Sequence, residues 1–123
     1  MVPCVAADLS VLDLDVMAAI RSLGVPGEAD IFVEVARLFL EDVPVHVSAL
    51  SAAIQAGNIA SVAQIAHSLK GNALEIGATR MAPVCAAIEN AARAGSLEGA
   101  AMQAESLARE FAIARDTLQQ VIR

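Results

Sequence analysis

His67, Lys70 and Gly71 stand within one or two helical turns of each other in the stretch AHSLKGNALEIGA, residues 66–78, of a chain otherwise rich in alanine. Part of an imidazole population is unprotonated near neutral pH, so a histidine can serve as a nucleophile or as a proton carrier. A lysine three residues further on lies on the histidine's flank and sets a positive charge beside it. Glycine in a helix interior costs about 1 kcal/mol relative to alanine. A helix that keeps Gly71 beside His67 therefore either ends there or leaves room for another molecule to approach closely. The apolar period continues downstream through Ala73 and Ile76, which favours close approach. A nucleophilic role and a proton-transfer role both fit these residues, and so does an ordinary solvated histidine.

The helix that carries them decides which way the imidazole points. At about 100° per residue, Val62, Ile65, Ala66, Leu69, Ala73 and Ile76 gather on one stripe, and this is the face for a core. His67 falls on the opposite side and is expected to face solvent. Ala60, Ala63, Gly71 and Leu74 share its side, with Gln64 one turn earlier, so the imidazole sits in an exposed patch of small and apolar residues.

Gly, Asn, Ser and Thr punctuate the rest of the chain into helices. A short first helix ends at Gly24, followed by the loop VPGEAD. A long second helix begins at Glu28; Pro44 is expected to kink or interrupt it, and it ends at Gly57. Asn58 is suited to cap the third helix, which ends near Gly77. Thr79 is expected to cap the fourth and Ser96 the fifth, whose apolar stripe runs over Leu97, Ala101, Ala104, Leu107, Phe111, Ala114, Leu118 and Val121. Long helices joined by short turns are antiparallel neighbours. The expected fold is all-α: an up-down four-helix bundle over residues 12–123 with a short additional N-terminal helix, preceded by a flexible N-terminus, residues 1–11.

Composition excludes several classes of function. The formal charge of −6 and the lack of a basic run argue against nucleic acid as a partner. Residues 43–69 contain no Asp, Glu, Lys or Arg, but Pro44, His46, His67 and the break at Gly57-Asn58 make them two helical pieces rather than a membrane span. The start MVPCVAAD lacks the basic and apolar segments of an export signal, so a cytoplasmic location is expected. Cys4 and Cys85 match no metal-ligand spacing, and Cys85 reads as a small buried hydrophobe. There is no glycine-rich phosphate loop, no Walker-type Gly-Lys-Ser/Thr and no carboxylate cluster suited to magnesium, so neither ATP use nor a bound cofactor is expected. A monomer is the simplest oligomeric expectation.

AHSLKGNALEIGA resembles the signature of histidine phosphotransfer (HPt) domains of two-component phosphorelays, in which His-x-x-Lys-Gly precedes an apolar stretch. The preceding VARLFLEDVPVHVSALSAAIQAGN, with its Phe-Leu-x-x-x-Pro segment, and the following MAPVCAAIENAARAG are similar to the family's neighbouring helices. Together they extend the resemblance over most of the chain.

The resemblance implies that His67 accepts a phosphoryl group on its outer ring nitrogen from a receiver-domain aspartate and passes it to another. It implies that Lys70 offsets the phosphoryl charge, and that Gly71 leaves space for the receiver's loops. Glu89 stands where similar proteins place a Gln or Glu that orients the ring, a task for which Gln64 is the other candidate. Docking would centre on Ala60, Ala63, Gly71 and Leu74. The partners implied are receiver domains and a hybrid sensor histidine kinase, with Mg2+ supplied by the receiver. The chain would then be a phosphocarrier and not a complete enzyme.

Asn72 and Glu75 depart from the small residues of many relatives, and Glu75 is a candidate for selecting among receivers. His46 lacks a following Lys-Gly and reads as a bystander. Two other readings compete. The phosphoacceptor part of a sensor kinase would need an acidic residue directly after the histidine, where Ser68 stands. A helical interaction module that binds receivers or other signalling proteins without being phosphorylated would function without His67.

Overall fold

The computed structural model describes residues 11–25, 27 and 30–122. It contains five helices: α1 Leu14–Ser22, α2 Ile31–Ala56, α3 Ile59–Ile76, α4 Met81–Arg93 and α5 Ala100–Val121. Helix α3 packs on α2 and α4, and α5 packs on the same two, which closes a four-membered bundle; α1 lies against α2 and α3. The expected flexible start lies outside the described residues except for Val11, which is buried.

Local chemistry sets most helix ends. Asp13 accepts hydrogen bonds from the backbone N–H groups of Asp15 and Val16 at the start of α1, and Asp30 accepts from Phe32 N–H at the start of α2. Gly57 takes a left-handed conformation that an ordinary side chain would resist, so α2 stops there. Asn58 then accepts from Ser61 N–H and starts α3. Thus α2 begins at Ile31, three residues later than Glu28.

Three expectations about helix continuity need correction. Helix α2 runs through Pro44 without a break. The proline is exposed, so water can satisfy the carbonyl that its missing N–H leaves unpaired, while Val43 and Leu50 remain buried on the core side. Thr79 does not cap α4. The cap position falls on Arg80, which makes no side-chain cap bond, and the Thr79 backbone N–H donates to Val11 O. Ser96 does not begin α5 either: its hydroxyl accepts from Glu98 N–H in a separate turn, and α5 starts four residues later, after Gly99. In consequence Ala100, and not Ala101, is buried at the start of the final stripe.

The core is filled by Phe32, Leu50, Leu69, Ile76, Met81, Ile88, Leu107 and Leu118, all fully buried, with the Phe39 and Phe111 rings 5.8 Å apart. Burial on this scale is the main source of bundle stability. Two polar ties fix helix ends. Arg80 pairs with Glu110 of α5 at 2.8 Å, and the segment before α1 is stitched to the end of α3 by Asp13 N–H to Gly77 O at 2.8 Å.

Candidate functional site

Helix α3 presents His67 outward, as its periodicity predicts: the side chain is 61% exposed, while Ala66 and Leu69 on the core stripe are buried. Helix α4 brings Glu89 up beside it. Glu89 is one of only two buried polar or charged side chains among the described residues, so its carboxylate must be matched by hydrogen bonds and charge. It has three partners. His67 Nδ1 lies 2.9 Å from Oε2, Lys70 Nζ lies 2.8 Å from Oε1, and Arg93 Nη2 lies 2.8 Å from Oε2.

These contacts hold the Glu89 carboxyl down at about 2. The Lys70 hydrogen bond is the largest cause; burial opposes it, and Arg93 and His67 add to it. Glu89 is therefore an ionised acceptor, and His67 Nδ1–H must be the donor. In the neutral ring this leaves the lone pair on Nε2, the nitrogen away from Glu89, on an exposed side chain. Two cations surround one carboxylate, so the group is locally positive on a chain whose formal charge is −6.

Gly71 lies one turn beyond His67 and is exposed. A Cβ built at this glycine would meet nothing within 4 Å, so no contact within the chain requires glycine there. Leu74, a further turn along, is a large apolar side chain left 59% exposed, and Ala60 is exposed as well.

Ala63 corrects the expected patch, because it is buried at 8%. It stands at the boundary between the core stripe and the histidine face, and α4 closes over that edge, since α3 and α4 make the most extensive helix contact in the bundle. Ala63 instead lines a shallow groove with Ile59, Ala60, Gln64, Ala92 and Arg93. Gln64 is exposed in that groove, and the ring's Nδ1 is held by Glu89. Glu75 lies on the other flank of α3, where Leu38 and Asp42 of α2 meet Asn72. Asn72 Nδ2 also approaches His46 Nδ1 at 3.4 Å, so His46 bridges α2 and α3 away from the His67–Glu89 contact.

Arg93 is the site residue that sequence reasoning missed. Its signal was the i, i+4 spacing after Glu89, with the acid on the N-terminal side, a favourable helix pair. Cys85 is buried as expected, and desolvation pushes its thiol up to about 12, which makes it inert. Among the described residues no group of His, Cys, Asp and Glu is arranged to hold a metal ion, and no helix is long and apolar enough to cross a membrane.

Comparison with known proteins gives the arrangement its context. The family model described as the Hpt domain matches residues 34–122. The chain is similar to the crystal structure of histidine-containing phosphotransfer protein B from Pseudomonas aeruginosa PAO1, with 33% identity and a TM-score of 0.82, over 90% of this chain and 93% of that one. It is similar to the histidine-containing phosphotransfer protein MtHPt2 from Medicago truncatula, with 26% identity and a TM-score of 0.77, over 92% and 82% of the two chains. An HPT domain of a sensor hybrid histidine kinase from Shewanella shares the fold at 20% identity, with a TM-score of 0.75 over 94% and 96%. No curated protein sequence matches the chain.

Proposed function

The chain belongs to the Hpt domain family, whose members are phosphocarriers of phosphorelays rather than kinases, and we propose that His67 is the residue through which it passes a phosphoryl group between receiver-domain aspartates. The observation that carries this reading is the tie from His67 Nδ1–H to the ionised Glu89, which leaves an exposed Nε2 as the nucleophile. Nε2 attacks the phosphorus of a receiver's aspartyl phosphate. The N–P bond forms, the O–P bond breaks, and the aspartate leaves with the electron pair. Transfer onward to a second receiver reverses these steps.

Glu89 orients the ring in this scheme, and Gln64 lines the neighbouring groove. Lys70 offsets the charge of the incoming phosphoryl group, which its pairing with Glu89 holds within reach of the ring's edge. Gly71 admits the receiver's loops. Docking uses Ala60, Gly71 and Leu74, with Ala63 supporting the patch from beneath and Glu75 at its rim selecting among receivers. Such interfaces are transient and wet at the edge. Positioning and charge account for most of phosphoryl-transfer catalysis, and Mg2+ comes with the receiver. Residues 12–123 act as the functional domain, a cytoplasmic monomer that accepts from a hybrid sensor histidine kinase and needs no ATP of its own.

The test is to mix the purified protein with a panel of aspartyl-phosphorylated receiver domains and follow label onto wild type and His67→Gln. Acid-labile label on wild type alone establishes His67 as the carrier. Binding without label from any receiver would favour the unphosphorylated interaction module.

A further inference from the structure

Arg93 has no place in the scheme above, yet it binds the same carboxylate oxygen as the phosphoacceptor. Its Nη2 is 2.8 Å and its Nε 2.9 Å from Glu89 Oε2, the atom that accepts from His67 Nδ1 at 2.9 Å. Lys70 occupies the other oxygen. A carboxylate hydrogen-bonded to one imidazole nitrogen favours a proton on the other, because it stabilises the imidazolium. Glu89 alone would therefore orient the ring and at the same time encourage protonation of the nitrogen that must attack. An exposed, rotamer-rich arginine held by two donors on a single oxygen offsets that second effect, since it shares the charge that the ring would otherwise feel.

We propose that Arg93 is a positioning residue for phosphoryl transfer: by engaging the Glu89 oxygen that holds His67 Nδ1–H, it lets the carboxylate orient the ring while leaving Nε2 unprotonated and nucleophilic. The inference rests on His67 being the phosphoacceptor. It differs from the role of Lys70, which faces the phosphoryl charge, because Arg93 acts through Glu89.

The surrounding charges support this assignment. The charged side chains at the ring on α3 and α4 are Lys70, Glu89 and Arg93, and Cys85 of α4 is a buried neutral thiol. Asp42 and His46 of α2 meet Asn72 and Glu75 on the flank of α3 away from α4. Before α1, Asp13 bonds Gly77 at the far end of α3, and Asp15 lies two residues beyond Asp13. Arg21 is engaged with Asp30 and the Phe32 ring. Arg93 is thus the cation whose removal changes the Glu89–His67 pair with least disturbance to the core, because its own side chain is 58% exposed.

The experiment compares wild type, Arg93→Met, Arg93→Lys and Glu89→Gln, together with the Glu89→Gln/Arg93→Met double variant. Two readouts are taken: the pH titration of the His67 ring by 15N NMR in the absence of any receiver, and the pH profile of phosphoryl transfer from one receiver. Circular dichroism confirms that each variant is folded. In Arg93→Met both profiles should move to higher pH by about half a unit, making transfer on the acidic limb about threefold slower. Arg93→Lys should lie close to wild type, and Arg93→Met should add no shift once Glu89 is Gln. Unchanged profiles in Arg93→Met would overturn the proposal. So would equal shifts with and without the Glu89 carboxylate, since Arg93 would then act by its field alone. The NMR titration needs no relay partner, so it separates failure of this inference from failure of His67 as carrier.

Discussion

His67 on α3 and Glu89 on α4, twenty-two residues apart in sequence, meet through a hydrogen bond of 2.9 Å that joins an exposed imidazole to a buried, ionised carboxylate. The ring and the two cations beside it thereby share one acceptor.

Removing that acceptor should slow transfer without removing the nucleophile. Glu89→Ala frees the ring to rotate and strands Lys70 and Arg93, so the transfer rate should fall about tenfold or more. Glu89→Gln keeps an acceptor for Nδ1–H and should stay within about threefold of wild type near neutral pH. Single-turnover transfer from one phosphorylated receiver gives both values, and equal rates for Glu89→Ala and wild type would remove Glu89 from the mechanism.

Stability should depend on acid in a defined window. The Glu89 carboxyl lies at about 2 in the folded chain against an ordinary 4.5, so the unfolded chain binds the proton more readily. The stabilisation is complete above about 4.5 and is lost as pH falls towards 2. Thermal melts of wild type and Glu89→Gln should therefore draw closer together as pH is lowered through this window, and parallel curves would show that the pairing adds no pH-dependent stability.

At Gly71 stability and function should separate. Apart from its chain neighbours and the backbone of its own helical turns, nothing lies within 4 Å of a Cβ placed there, so Gly71→Ala should stabilise the helix by up to about 1 kcal/mol. Gly71→Leu should also fold, yet block phosphoryl transfer by filling the approach. Melting temperatures and labelling measured on the same samples test both statements, and normal transfer by stable Gly71→Leu would count against receiver approach over this residue.

Gly77 should behave in the opposite way. Its φ of +81° is left-handed, and an added Cβ would lie 3.1 Å from Val16 Cβ. Gly77→Ala should cost about 2 kcal/mol or more, through backbone strain and displacement of α1. Urea unfolding gives the value directly.

Glu75 should influence partner choice and not chemistry. It lies beside Leu38 and Asp42 on the α2 flank, away from the Glu89 network. Glu75→Ala should alter the rank order of receivers by several-fold in transfer rate while leaving the phosphohistidine equally stable. Identical rates with every receiver would remove Glu75 from selection.

Many helix ends were legible because their signals are local. Gly57 and Gly77 terminate helices through their own backbone freedom, and Asn58 caps α3 with its own side chain. Ser96 misled because a hydroxyl near a helix start can bond elsewhere, and Thr79 because α4 starts one residue later, after Arg80. Thr79 N–H goes to Val11 O, a residue the sequence assigned to a flexible start, and Ser96 serves the turn before α5. Pro44 does not interrupt α2, because the cost of its missing N–H depends on which face of the helix it occupies, and it occupies the exposed one.

By itself the sequence determined the outward direction of His67, the freedom of the helix at Gly71 and the all-helical bundle, because each follows from periodicity or propensity within a single helix. Tertiary structure decided that Lys70 and Arg93 would share Glu89 with the imidazole, and that Ala63 would be covered. Those outcomes depend on the rotation and axial register of α4 against α3, which no residue of either helix specifies alone. Packing of the buried side chains of α3 and α4, which belong to one core cluster, sets that register and so delivers the carboxylate to the ring.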